Sequence, residues 1–403
     1  MFFQKRFSLS FLILYSCLYL TSSGLAEKAV PVPEEEPDET DEIPAPPDEY
    51  YVTIVAAGDN LYHNVMVRDG EEGDYEPVYS QIRHIVKSAD IAFINQETVL
   101  AGEDFGFSGY PRFNSPQGVG LAVAAAGFNV VNHANNHIMD KGEKAVIATM
   151  DFWDTVPDVT ILGIHRSREQ RDQPKLTEKN NIIVGFLGYT FSTNGLPVPS
   201  DKPYLVSLID TEKMAEEIDA LRPLCDFLVV SMHWGEEYRH DYGKSQERLA
   251  TFLSGHRVDL VIGHHPHVLQ PVEYVPRPDG GSMLCFYSLG NLISAQIENP
   301  TLLGALAYVR IKKTAAPDEE TAAGIVFEDA GAIPLVTHYE RGFNGFKVYP
   351  LYAYTGELVE KHRQNREKKV FTTDYLKGLA SKVLGDREIA YNPFDKSESR
   401  NEE

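Results

Sequence analysis

Cysteine is scarce, with three in 403 residues, which excludes a disulfide framework. Cys17 lies in an N-terminal apolar stretch. That leaves Cys225 and Cys285, each beside a strand-like run, as two buried thiols or as one disulfide. Basic residues are also few: 37 Lys and Arg stand against 59 Asp and Glu, a formal net charge of −22. Nucleic-acid backbones are bound through basic patches, so no nucleic acid is expected as a partner. No internal repeat and no Gly-x-Ser-x-Gly elbow occur, so the Ser288 turn is not read as a nucleophile. The remaining composition, 43% hydrophobic and 24% charged, is that of a globular chain long enough to bury a large core.

The start is basic (Lys5, Arg6), then apolar from Phe7 to Leu20, then small-residue-rich to Ala26. This is the layout of a secretory signal peptide, residues 1–26. The apolar run is short for a membrane span. An uncleaved anchor and lipoprotein processing at Cys17 are the alternatives. Export to the periplasm, cell surface or medium is expected in each case. From Glu27 to Glu49 come ten acidic residues, one lysine and six prolines. With so little to bury, residues 27–49 read as an extended, self-repelling spacer.

From Tyr50 on, short apolar runs alternate with helical spacing. Strands are expected at Tyr51–Ala57, Ile91–Ile94, Phe128–Val131, Ile182–Leu187, Phe227–Ser231 and Val258–Ile262. Helices are expected at Pro77–Ala89, Gln117–Ala126, Gly142–Trp153, Thr211–Leu221 and Ser245–Ser254. Such alternation gives an α/β fold with a largely parallel central sheet. Runs around Tyr308, Ile325 and Val348 add C-terminal strands, so one domain spans 50–385 before a charged tail, 386–403.

Polar residues stop these strands in a pattern. Asp59, Glu97, Asn136, His137, His233, His265 and His267 each follow a strand, and in a parallel sheet those ends share one edge, where ligands bind. Six of the thirteen histidines fall in three such segments. On an extended backbone His265 and His267 face one point and His264 faces away. Carboxylates, imidazoles and an amide oxygen together suit divalent ions of the zinc, manganese or iron type. Arg112 is a candidate grip for an anionic substrate, Trp234 and Tyr238 beside His233 are candidates for a substrate wall, and His264 is a candidate substrate contact; Arg112, Trp234 and Tyr238 each also have a structural reading.

Six ordered blocks carry a resemblance: Gly58-Asp59, Asn95-Gln96-Glu97, Ala134-Asn135-Asn136-His137, His233-Trp234-Gly235, Gly263-His264-His265-Pro266-His267 and Tyr287-Ser288-Leu289-Gly290-Asn291. The set resembles the bacterial capsule-synthesis CapA family, associated with poly-γ-glutamate and related in fold to calcineurin-like metallophosphoesterases. The resemblance implies a two-ion site. Asp59 and His267 would serve the first ion and Glu97 would bridge. Asn136, His233 and His265 would serve the second, and His137 would be the acid that protonates a leaving oxygen. Those phosphoesterases carry a histidine two residues after the first aspartate; here Leu61 stands there, with His63 nearby.

Two functional readings follow. One is an exported, metal-dependent hydrolase or transferase acting on poly-γ-glutamate or a phosphoester. The other is a non-catalytic accessory that holds polymer beside a membrane synthase.

Overall fold

Short β-branched runs become strands wherever they can be buried on both faces, and here they build two sheets. A computed structural model describes residues 49–70, 73–314, 324–366 and 370–395. The expected signal segment, the spacer up to residue 48, Cys17 and the last eight residues of the tail lie outside the described residues. In chain order the first strands are β1 (Glu49–Asn60), β2 (Ile91–Gln96), β3 (Val130–Asn132), β4 (Thr160–Leu162), β5 (Leu176–Lys179), β6 (Ile182–Thr190) and β7 (Phe227–His233). There follow β8 (Leu260–His264), β9 (Val272–Pro276), β10 (Ser282–Phe286), β11 (Asn291–Ile293), β12 (Leu303–Thr314), β13 (Gly324–Glu340) and β14 (Asn344–Pro350).

The first sheet runs β14-β13-β12-β1-β2-β3-β4, with β11 also paired to β1. The second runs β5-β6-β7-β8-β10-β9. The expected parallel pairs form one continuous block in each: β1–β2–β3–β4, reaching the edge at β4, in one and β6–β7–β8–β10 in the other. Antiparallel strands sit at the margins, including the C-terminal β12, β13 and β14. One apolar core takes Ile54, Phe93 and Val130 from the first sheet together with Phe186, Val229 and Ile262 from the second. Val230 and Val261 instead pack with Met214, Ile218 and Leu253 of the helices Thr211–Leu221 and Lys244–Gly255. A layered α/β fold results.

Helix ends follow local chemistry. Gly127, at φ +110°, stops the helix Gln117–Ala126 by returning its N–H to Ala124 and Val123. Asp210 starts Thr211–Leu221 by accepting from the N–H groups of Glu212 and Lys213. The stretch 77–89 is not one helix but a 3-10 turn, Glu76–Tyr79, and a helix, Arg83–Ser88. Tyr79 breaks the run by turning inward, where its hydroxyl donates to Asn60 Oδ1 at 2.8 Å. The packed chain also runs past residue 385. Ile389 is buried, its N–H donates to Ala332 O at 2.8 Å, and Phe394 meets Tyr308 edge-on. Cys225 and Cys285 are free thiols.

Candidate metal centre

Strand register brings the polar stops level. Asp59 pairs with Asn95 and Asn291, and Asn95 with Asn132; in the other sheet His233 pairs with His264. Two glycines allow this close approach. A Cβ on Gly58 would lie 2.0 Å from Gly290 O, and one on Gly263 would lie 2.0 Å from Tyr287 O. With Gly58 in place, Asp59 N donates to Gly290 O at 2.9 Å and β11 seats against β1.

Asp59 is fixed from three sides. Asn95 Nδ2 donates to its Oδ1 at 2.8 Å, His265 N donates to its Oδ2 at 3.2 Å, and His267 Nδ1 lies 3.1 Å from Oδ2. Asn95 is in turn held by Asn132 Nδ2, which donates to its Oδ1 at 2.9 Å. Asn136 Oδ1 lies 3.0 Å from His233 Nε2. Glu97 is different: both carboxylate oxygens are buried with no hydrogen-bond partner among the described residues. Its Oε1 lies 3.8 Å from His233 Nε2 and 3.9 Å from His267 Nε2, too far for hydrogen bonds. Separations of this order suit ligands about 2.0–2.2 Å from a shared ion. Asp59, Glu97 and His267 offer ligand atoms within 4.8 Å of one another, and so do Glu237, His265 and His267.

Burial, with the Asp59 charge second, pushes the Glu97 carboxyl well up. Burial pushes Asp59 up too, but the hydrogen bond and charge of His267 outweigh it and hold that carboxyl below its ordinary range. Burial, with His265 second, lowers His233, and burial lowers His265 to about 3. Neutral imidazoles facing a carboxylate without donors form a set that a divalent cation fits.

The cluster opens into a cleft of about 370 Å³ lined by His63, Arg112, His137, Glu237, Tyr238 and His267, among others. His137 Nδ1 lies 2.8 Å from Asp140 Oδ2, which also accepts the Phe113 N–H at 2.7 Å. The His137 N–H donates to Asn135 Oδ1 at 3.1 Å, and Asn135 Nδ2 donates to Gln96 O at 2.8 Å. Loop and strand thus fix the ring together. Arg112 is exposed on the rim.

Two expected substrate contacts are corrected. His264 is fully buried, stacked on Phe93, with Nε2 3.2 Å from Ala57 O and Nδ1 3.3 Å from Ser231 Oγ. Trp234 is 1% exposed, stacks on Tyr287 and donates its indole N–H to Tyr287 O at 3.0 Å. Both residues brace the core beneath the site. Leu61 is buried, and His63 turns Nδ1 toward Leu61 O at 3.2 Å and the Ala295 N–H at 3.3 Å. Sequence reasoning assigned no role to Asn95, Asp140 or Glu237 and gave Asn291 only a turn. Asn95 and Asn291 sat inside the ordered blocks, and Asp140 one turn after His137.

The family description "Bacterial capsule synthesis protein PGA_cap" matches residues 53–296. The chain belongs to that family. It is 32% identical over 188 residues to the PGA biosynthesis protein CapA of Bacillus subtilis, covering 46% of this chain and 48% of that one. It is 31% identical over 195 residues to the capsule biosynthesis protein CapA of Bacillus anthracis, covering 47% and 46%. The chain therefore spans about half the length of these two relatives. The uncharacterized protein y4uA of Sinorhizobium fredii is 24% identical over 408 residues, covering 82% and 84%. Among solved structures, the Haemophilus influenzae NAD nucleotidase NadN matches with TM-score 0.40 at 10% identity, over 82% of this chain and 66% of that one. The Thermus thermophilus sulfate thiohydrolase SoxB matches with TM-score 0.34 at 11% identity, over 79% and 46%.

Proposed function

We propose that this CapA-family chain is an exported, metal-dependent protein of poly-γ-glutamate capsule synthesis, holding an anionic substrate against a two-ion site and acting as a hydrolase or transferase. The observation that carries the metal reading is Glu97, a buried carboxylate without a donor, ringed by His233, His267 and Asp59. Asp59, Glu97, Asn136, His233, His265 and His267 would hold two ions of the manganese, zinc or iron type. Bound there, such ions supply a Lewis acid and countercharge for a phosphate or carboxyl oxygen. The rest falls to the chain. Asp140 fixes His137 through Nδ1 and leaves Nε2 to hand a proton to a leaving oxygen. Arg112 on the rim offers a cation to a substrate carboxylate or phosphate.

Leu61, which supplies no donor atom where related phosphoesterases have a histidine, favours weighing a second reading: a non-catalytic holder of polymer beside a membrane synthase. Paired variants separate the two. In an enzyme, His265→Ala loses metal and turnover together, while His137→Ala keeps metal and loses about 10²–10⁴-fold in rate. In a holder, His137→Ala leaves capsule yield in cells unchanged. Wild-type capsule output from His137→Ala, with a parent inactive on phosphoester and γ-glutamyl substrates, overturns the enzyme. Among the described residues no helix is long and apolar enough to cross a membrane. Fractionation of cells carrying the chain with and without residues 1–26 tests export.

A further inference from the structure

Leu61 leaves the site one protein donor short of the family-related pattern, and a carboxylate from another loop stands where it can make up the number. After β7 the chain turns through Gly235 at φ +93° and Tyr238 at φ +65°. Trp234 N donates to His264 O at 3.1 Å, and Tyr238 N donates to Pro266 O at 2.8 Å. These two bonds, four residues apart, clamp the 234–238 turn onto the 264–267 loop. Glu237 sits between them. One of its carboxylate oxygens and one ring nitrogen each of His265 and His267 lie within 4.8 Å of one another.

Two observations separate this from a chance acidic residue. His265 is 5% exposed and its Nδ1 is buried without a partner among the described residues. A buried imidazole nitrogen left unpaired loses about 1–3 kcal/mol unless something meets it. His265 at φ +98° and His267 at φ +59° also hold left-handed conformations that cost non-glycine residues about 1–3 kcal/mol each. In these conformations His267 brings Nδ1 to 3.1 Å from Asp59 Oδ2, while His265 gives its backbone N–H to the same oxygen at 3.2 Å and sets its ring beside that of His233, centroids 4.9 Å apart. The neighbour Glu236 behaves as an ordinary surface acid, its Oε2 2.9 Å from Arg239 Nη1. Glu237 has no ion pair among the described residues.

We propose that Glu237 is a metal ligand, presented from the cleft side, that makes up for the donor missing at Leu61. The inference rests on the two-ion reading above and adds a residue to it. It also gives the 234–238 turn a purpose that Trp234, buried in the core, does not supply.

The test is metal binding rather than activity. Chain purified without a nickel column and stripped with chelator is titrated with Mn²⁺, with free Mn²⁺ followed by electron paramagnetic resonance. Residues that merely orient ligands are worth about 10–100-fold in metal affinity, so Glu237→Gln should weaken one Mn²⁺ site by at least about tenfold. Glu236→Gln, which removes the same charge one residue away, should leave both sites unchanged. Glu237 is exposed, so the chelated variants should melt with the parent. A Glu237→Gln isotherm that overlays that of Glu236→Gln overturns the role of Glu237 while leaving the two-ion reading intact. A parent that binds none of Mn²⁺, Zn²⁺ and Fe²⁺ overturns both.

Discussion

Gly58→Ala should damage the candidate metal centre without touching any of its proposed ligands. The added Cβ would sit 2.0 Å from Gly290 O and 3.0 Å from Gly290 C, backbone atoms that no rotamer change can move aside. Strand β11 must therefore shift away from β1, breaking the 2.9 Å bond from Asp59 N to Gly290 O and the pairing of Asp59 with Asn291. Overpacking of a close-packed interior costs about 1–3 kcal/mol, and the lost backbone bond adds about 1 kcal/mol. A loss near 3 kcal/mol is the central expectation. At about 2.1 cal/mol/K per residue, a folded region of roughly 340 residues unfolds with ~0.7 kcal/mol/K, so Tm should fall by about 4 °C. The more telling consequence is at Asp59, whose Oδ2 faces His267 at 3.1 Å only while β1 stays seated. Mn²⁺ affinity should fall along with Tm. Gly356→Ala is the control, since nothing lies within 4 Å of a Cβ there. A Gly58→Ala chain that melts within 1 °C of the parent and keeps its Mn²⁺ affinity would refute the argument that this glycine sets the spacing of the site.

Two further outcomes concern the frame around the site. Burial holds His133, His165 and His362 down to about 3; the unfolded chain takes up protons first, so stability is lost as pH falls from 6.5 toward 3, by ~1.4 kcal/mol per residue at pH 5.5. Urea midpoints of the chelated chain at pH 7.5 and 5.5 check this, and equal midpoints would sink it. His264→Phe should lower Tm, because Ala57 O and Ser231 Oγ each lose a partner at about 1–3 kcal/mol. Polymer binding per folded molecule should stay the same, and a selective loss of binding would make His264 a substrate contact again.

Much of the candidate centre was legible because a metal site would limit the choice of residues and parallel strands limit where they fall. Asp59, Glu97, Asn136, His233, His265 and His267 could be picked out from residue type and from position just after an apolar run. Side-chain direction could not. Alternation along a strand put His264 opposite His265, but nothing local told whether the far side was cleft or core. The first sheet decided that, by laying Phe93 against the imidazole. Trp234 was ambiguous for the same reason, until Tyr287 stacked on it. Asp140 and Glu237 were missed because ordinary surface acids look the same in sequence. One is set apart by the Phe113 N–H that shares its carboxylate with His137, the other by a turn clamped onto the histidine loop. The helix Thr373–Leu384 was also passed over, although Leu376, Ala380 and Leu384 fall four apart and are buried. The strongly basic stretch just before it, Lys361 to Lys369, masks that spacing.

Charge makes the order of binding matter in this protein. The chain carries −22 overall, and the cleft gathers Asp59, Glu97, Asp140 and Glu237 within or just below its wall. A polyanion approaching such a surface is repelled at short range, where a Debye length of about 8 Å leaves charges within a few ångströms little screened by salt. Arg112 alone is too little to reverse that sign. Two divalent ions in the ligand cluster would change it, since four positive charges behind a partly buried wall are screened far less than charges on the open surface. Affinity for an anionic chain is then conditional on metal. Linkage makes the condition mutual, so a bound polymer must tighten the ions by the same factor that the ions tighten the polymer. On this reasoning an ion site without a donor at Leu61 would fill further when substrate arrives, and Glu237, lying on the cleft side, would be the proposed ligand nearest to that substrate.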